Sequence, residues 1–88
     1  MKDKELERSL KALANRRRLA IMRYLKKERE ASVGEIADEI VLSFNATSKH
    51  LAILTNVDIL EKEQRALQVY YRISGNLIEP VRATLSIL

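Results

Sequence analysis

The chain has 88 residues, 47% of them hydrophobic, with a single histidine and no cysteine. That length suits one domain over residues 1–88, and a core so small favours oligomerisation as a source of further buried surface. Without cysteine, disulfides, thiolate metal sites, thiol redox sensing and cysteine nucleophiles are excluded.

The net charge of +4 hints at a polyanionic partner, but the placement of the charge says more. Residues 1–30 carry 11 Lys or Arg against 5 acids, whereas residues 31–66 carry 3 against 6. No apolar run is long enough to span a bilayer, and the opening Met1-Lys2-Asp3-Lys4-Glu5 lacks the apolar stretch of a secretion signal. The expectation is a cytoplasmic protein without a membrane partner.

In chain order, Leu6, Leu10 and Leu13 recur at helical spacing and predict a first amphipathic helix. Asn15 is a candidate cap for a second, with Leu19, Met22 and Leu25 inward and Ile21 beside them. Ser32 is a candidate cap for a short third helix, Val33 to Ile40, burying Val33, Ile36, Ala37 and Ile40. Leu42-Ser43 leaves room only for a tight turn before a fourth helix, Phe44 to about Val57, capped by Ser43. Two short helices joined so closely predict a helix-turn-helix. In the fourth, Phe44, Thr47, Leu51 and Leu54 fall on the inward face, leaving Asn45, Ser48, Lys49 and Ala52 outward.

After this helix the apolar period changes from helical to alternating. Leu67, Val69, Tyr71 and Ile73 alternate with Gln68, Tyr70 and Arg72, and with Ile59 to Glu63 before them they predict a hairpin. Gln64-Arg65-Ala66 has no glycine, so a longer, mobile tip is expected rather than a two-residue turn. Pro80 fits the first turn of a last helix whose apolar positions are Val81, Leu85 and Leu88. The predicted fold is mainly α with a small β-hairpin, a winged helix-turn-helix of order ααααββα.

Particular residues resemble the ArsR/SmtB family of dimeric repressors, from Leu10 to about Gly75. Leu10-Lys11-Ala12-Leu13-Ala14-Asn15-Arg16-Arg17-Arg18-Leu19-Ala20-Ile21-Met22 is similar to the family's opening stretch, with Arg18 in its Arg position. Ser48-Lys49-His50-Leu51-Ala52-Ile53-Leu54 resembles the family's Ser-(Arg/Lys)-His-Leu-x-x-Leu recognition helix, and Val69-Tyr70-Tyr71-Arg72-Ile73 its second wing strand. The chain departs from the pattern at Asp58, where the family usually has Gly, and at Arg16, where Pro is common. It also lacks the sensing cysteines of many members. The resemblance therefore implies a repressor without metal control, and no cofactor is expected.

A recognition helix reads duplex DNA with short polar side chains on base edges and long basic ones on phosphates. Asn45 is assigned to base edges, Ser48 to base or phosphate, and Lys49 with His50 to phosphates. Arg65, at the predicted wing tip, is a candidate for the minor groove. Arg16 and Arg17, at a helix start where positive charge opposes the macrodipole, are candidates for phosphate contact, with pairing to Glu5, Glu7 or acids of a partner subunit as the alternative. Leu6, Leu10, Val81, Leu85 and Leu88 exceed what one small core is expected to bury and predict homodimerisation through the first and last helices. A homodimer presents two recognition helices about 34–36 Å apart and so predicts an inverted-repeat operator.

The runner-up is a winged-helix module that binds another protein, supported by the net −3 of residues 31–66. No catalytic arrangement emerges: Ser48 and His50 lie two apart on a helix and do not face each other.

Overall fold

Three of the five helices begin at caps legible in the sequence. The computed structural model describes residues 1–88, with α1 at Asp3–Leu13, α2 at Arg16–Glu28, α3 at Val33–Ile40, α4 at Phe44–Asn56 and α5 at Glu79–Ser86. The Asn15 side chain accepts from the backbone N–H groups of Arg17 and Arg18 at the start of α2. Ser32 and Glu35 form a reciprocal capping box on α3, and Ser43 accepts from the N–H of Ala46 on α4 at 3.1 Å. Each such cap contributes about 1 kcal/mol by satisfying donors that the helix itself leaves free.

Three strands accompany the helices: β1 at Glu30–Ser32, β2 at Leu60–Arg65 and β3 at Gln68–Ile73. They form one antiparallel sheet of order β1-β3-β2. The two-stranded wing predicted from periodicity thus gains a third strand, because Glu30, Ala31 and Ser32 pair with Arg72, Tyr71 and Tyr70. Three residues are too few for alternation to register, so β1 is set by its partner strand.

The hairpin turn also differs from expectation. Arg65 pairs with Gln68, leaving only Ala66 and Leu67 in the turn. Ala66 takes φ 54° in place of glycine, at a cost of about 1–2 kcal/mol that the paired strands offset. Asp58 adopts φ 60° between α4 and β2, which is how the turn survives without the usual glycine.

The core gathers Ile21, Met22 and Leu25 of α2, Ile36 of α3, Leu51 and Leu54 of α4, and Ile59 and Leu60 at the start of the wing. Three predicted faces are corrected. On α1 the inward face is Ser9, Ala12 and Leu13, while Leu10 is 45% exposed. Val81, expected at a dimer contact, is 1% exposed within the chain's own core, because α5 packs back onto α1 and α2. Phe44, expected inside, is 60% exposed at the first turn of α4.

Thr47 is fully buried and its hydroxyl has no hydrogen-bond partner. An unsatisfied buried hydroxyl destabilises, and a valine fills nearly the same space without one. Thr47→Val is therefore expected to raise stability by about 1 kcal/mol, read as a shift in the urea midpoint at unchanged slope.

Candidate nucleic-acid interface

The α4 helix has two chemically opposite faces. Thr47, Leu51 and Leu54 are fully buried, which holds Asn45, Lys49 and Ala52 exposed and Ser48 half-exposed on the other side. None of these outward residues takes part in the chain's ion pairs.

The wing runs alongside. After the turn at Asp58, the six residues of β2 cover about 20 Å, the same length as the 13 residues of α4. β2 packs against α4, and the hairpin tip lies beside the N-terminal end of that helix. There Phe44, Leu67, Val33 and Val69 line one groove.

Much of the basic charge in the first third is used within the fold. The Arg17 guanidinium donates to the carbonyls of Ile40 at 2.6 Å and Val41 at 3.2 Å, at the C-terminal end of α3. Arg18 donates to the carbonyls of Ala12 and Lys11 at the end of α1. Lys26 donates to the carbonyl of Leu85 at 2.9 Å at the end of α5. Helix C-termini present unpaired carbonyls and the negative end of the macrodipole. Three cations of α2 thus satisfy the ends of three other helices, which compensates the arginines' unfavourable position at their own helix start. Arg17 is thereby engaged within the fold although its side chain stays exposed, whereas Arg16, equally exposed, makes no such bond.

His50 also turns inward. Its Nδ1 lies 3.1 Å from Nη1 of Arg18; since the guanidinium only donates, Nδ1 is the acceptor and any ring proton resides on Nε2. Partial burial, then the charges of Arg18 and Arg17, push the His50 pKa below the ordinary histidine value. Folding thereby disfavours the charged imidazolium, and the ring is hydrogen-bonded to Arg18 beside the recognition face.

A histidine pKa depressed by folding leaves stability untouched above the unfolded value near 6.5 and lowers it progressively as pH falls below that. His50→Asn keeps an acceptor near the Nδ1 position and does not titrate. Wild type is expected to lose more thermal stability than this variant between about pH 7.5 and pH 5.5. Equal losses in the two proteins would remove His50 from the acid response.

Arg65 is not free at the wing tip. Its guanidinium makes two 2.8 Å bonds to the carboxylate of Glu30, a 3.0 Å bond to Glu63, and stacks 4.7 Å from the centre of the Tyr70 ring. Arg72 joins the same sheet face, bonded to Glu61 at 3.0 Å and Glu63 at 3.1 Å. Hydrogen bonds from Arg65 hold the Glu30 and Glu63 carboxyls below the usual carboxylate range, and those carboxylates in turn push the Arg65 pKa up. Glu30, Glu61 and Glu63 against Arg65 and Arg72 leave this face without surplus positive charge. Arg65, expected at the minor groove, is thus engaged in ion pairs within the sheet, and the tip beyond it is apolar, with Leu67 97% exposed.

Of the residues expected to pair two copies, Leu6 is half-buried and Leu10 exposed on α1, and Leu85 and Leu88 are half-buried beside the exposed Ile87 at the end of α5. Helices α1 and α5 pack against each other, so these residues lie on neighbouring elements. No three His, Cys, Asp or Glu side chains converge as metal ligands would, and the one histidine contacts the Arg18 guanidinium. No helix is long and apolar enough to cross a membrane.

Helices α3 and α4, joined by the short turn at Val41–Ser43, with a hairpin laid along the second of them, define a winged helix-turn-helix protein. A helix-turn-helix domain family matches residues 13–63. The transcriptional activator HlyU of Vibrio cholerae is 39% identical over 70 residues, covering 80% of this chain and 64% of HlyU. The nodulation protein NolR of Rhizobium meliloti is 35% identical over 77 residues, covering 88% of this chain and 62% of NolR. The chain thus spans just under two thirds of the length of each. Among solved structures, reduced HlyU aligns with a TM-score of 0.81 at 35% identity, over 97% of this chain and 85% of that one. The homodimeric winged helix-turn-helix DNA-binding domain of a possible ArsR-family regulator from Mycobacterium bovis aligns with a TM-score of 0.81 at 31% identity, over 96% of this chain and 74% of that one. The chain belongs to the ArsR/SmtB family of winged helix-turn-helix transcriptional regulators.

Proposed function

We propose that the protein binds an inverted-repeat site in double-stranded DNA as a homodimer and represses transcription by covering promoter sequence, without metal control. The observation that carries this reading is the division of α4: one face wholly buried, the other presenting Asn45, Ser48 and Lys49 with no intramolecular charge partner. Asn45 and Ser48 are suited to base edges and Lys49 to phosphate, with Arg16 reaching a neighbouring phosphate from the start of α2. Arg17, Arg18 and His50 set the helix in place from behind and are positioning residues. Support for the homodimer comes from Leu6, Leu10, Leu85 and Leu88 on adjacent helices, and from the similar Mycobacterium bovis domain, itself homodimeric.

The test is a salt-titrated gel shift against the DNA upstream of the protein's own gene, with the double substitution Ser48→Ala and Lys49→Ala alongside. Wild type is expected to bind specifically, with affinity falling steeply as salt rises, and the folded double variant to lose roughly tenfold or more. Equal, weak and sequence-independent binding by both proteins would instead favour a winged-helix module for a protein partner.

A further inference from the structure

Phe44 sits at the first turn of α4 and is 60% exposed, although the helical period of the sequence assigns it to the core. Exposed apolar patches tend to mark contact sites, and Phe44 shares its groove with Leu67, which is 97% exposed. The surroundings of Phe44 narrow what it contacts. Ser48 lies one turn along the same flank of α4 and Asn45 immediately beside it, so the ring borders the face assigned to base reading. Helical side chains lean toward the N-terminus, which aims the ring past the first turn, the part of a recognition helix that enters the major groove most deeply. Val33 and Leu67 line the same groove as the ring, which nonetheless stays 60% exposed.

Resting on the DNA reading above, we propose that Phe44 is a specificity-determining residue, its ring packing against the 5-methyl group of a thymine in each half-site. In the major groove that methyl is the one apolar feature of the four base pairs, and an apolar side chain is what recognises it. A hydrogen-bonding residue would read a donor or acceptor there; phenylalanine has neither. The two subunits of a dimer would place the contact symmetrically, one thymine per half-site.

The experiment begins with selection of duplexes from a random-sequence pool by wild type and by Phe44→Ala, both checked for native circular dichroism. Truncating an exposed side chain is expected to leave the fold intact. Wild type should enrich a thymine at one fixed position of each half-site. Replacing that thymine by deoxyuridine, which lacks only the methyl, should weaken wild-type binding roughly fourfold per half-site, the worth of one buried methyl group. Phe44→Ala should bind thymine and deoxyuridine duplexes equally. The proposal is overturned if Phe44→Ala enriches the same thymine and shows the same deoxyuridine penalty, an outcome that would leave the exposed ring to a protein partner. A wild-type protein that enriches no sequence at all removes the DNA reading itself, a result distinguishable from the loss of Phe44's role alone.

Discussion

Leu51→Ala is expected to destabilise the fold by about 3–4 kcal/mol, a large share of the roughly 5–15 kcal/mol available to a domain of ordinary stability. Leu51 is fully buried on the inward face of α4, and α4 packs on α1, α2, α3 and β2. Removing the side chain leaves a cavity that these elements, converging from several directions, cannot all close. The loss falls on the helix that carries Asn45, Ser48 and Lys49, so the recognition face loosens together with the core. Urea unfolding followed by circular dichroism measures the change, with Ile53→Ala on the exposed side of the same helix as a control expected to shift stability by about 0.5 kcal/mol or less. A loss below about 1 kcal/mol for Leu51→Ala would mean that α4 is not docked through this face.

The second large effect concerns assembly. Leu6 and Leu10 lie outside the apolar core cluster, one turn apart on α1, so charging them is expected to leave that core intact. The double substitution Leu6→Glu and Leu10→Glu is expected to convert a homodimer into a monomer in sedimentation velocity while circular dichroism remains that of a folded chain. Each subunit then engages a half-site alone, and without the linkage of the second contact the affinity for the full site is expected to fall about a hundredfold or more. A doubly charged variant that stays dimeric would move the interface away from α1.

Features governed by near neighbours in the chain were legible in the sequence. Asn15, Ser32 and Ser43 were recognisable as caps because a cap bonds N–H groups two or three residues ahead. The inward set Ile36, Leu51 and Leu54 followed from helical period, and the wing's second strand from alternation. The positive φ at Asp58 was foreseeable from the residue type. The same period placed Asn45, Ser48, Lys49 and Ala52 outward on α4, and the family resemblance in Ser48-Lys49-His50-Leu51 marked that helix as the one to read DNA.

Where a long side chain ends was decided only by the tertiary structure. Arg17 reaches carbonyls 23 and 24 residues away, Arg18 a histidine 32 away, and Arg65 a carboxylate 35 away. An arginine in a sequence is the same signal whether its guanidinium meets a phosphate, a helix C-terminus or a glutamate; the nearest unsatisfied acceptor after folding makes the choice. The strand β1 exists for the same reason, since three residues become a strand only when β3 offers its free edge. Phe44 and Val81 exchanged their expected places because helical period marks a face as apolar without saying what covers it. α5 closes over Val81, and nothing in the chain closes over Phe44. Local bonding thus determined which elements form and where they begin, and their packing determined which cations remain available to a partner.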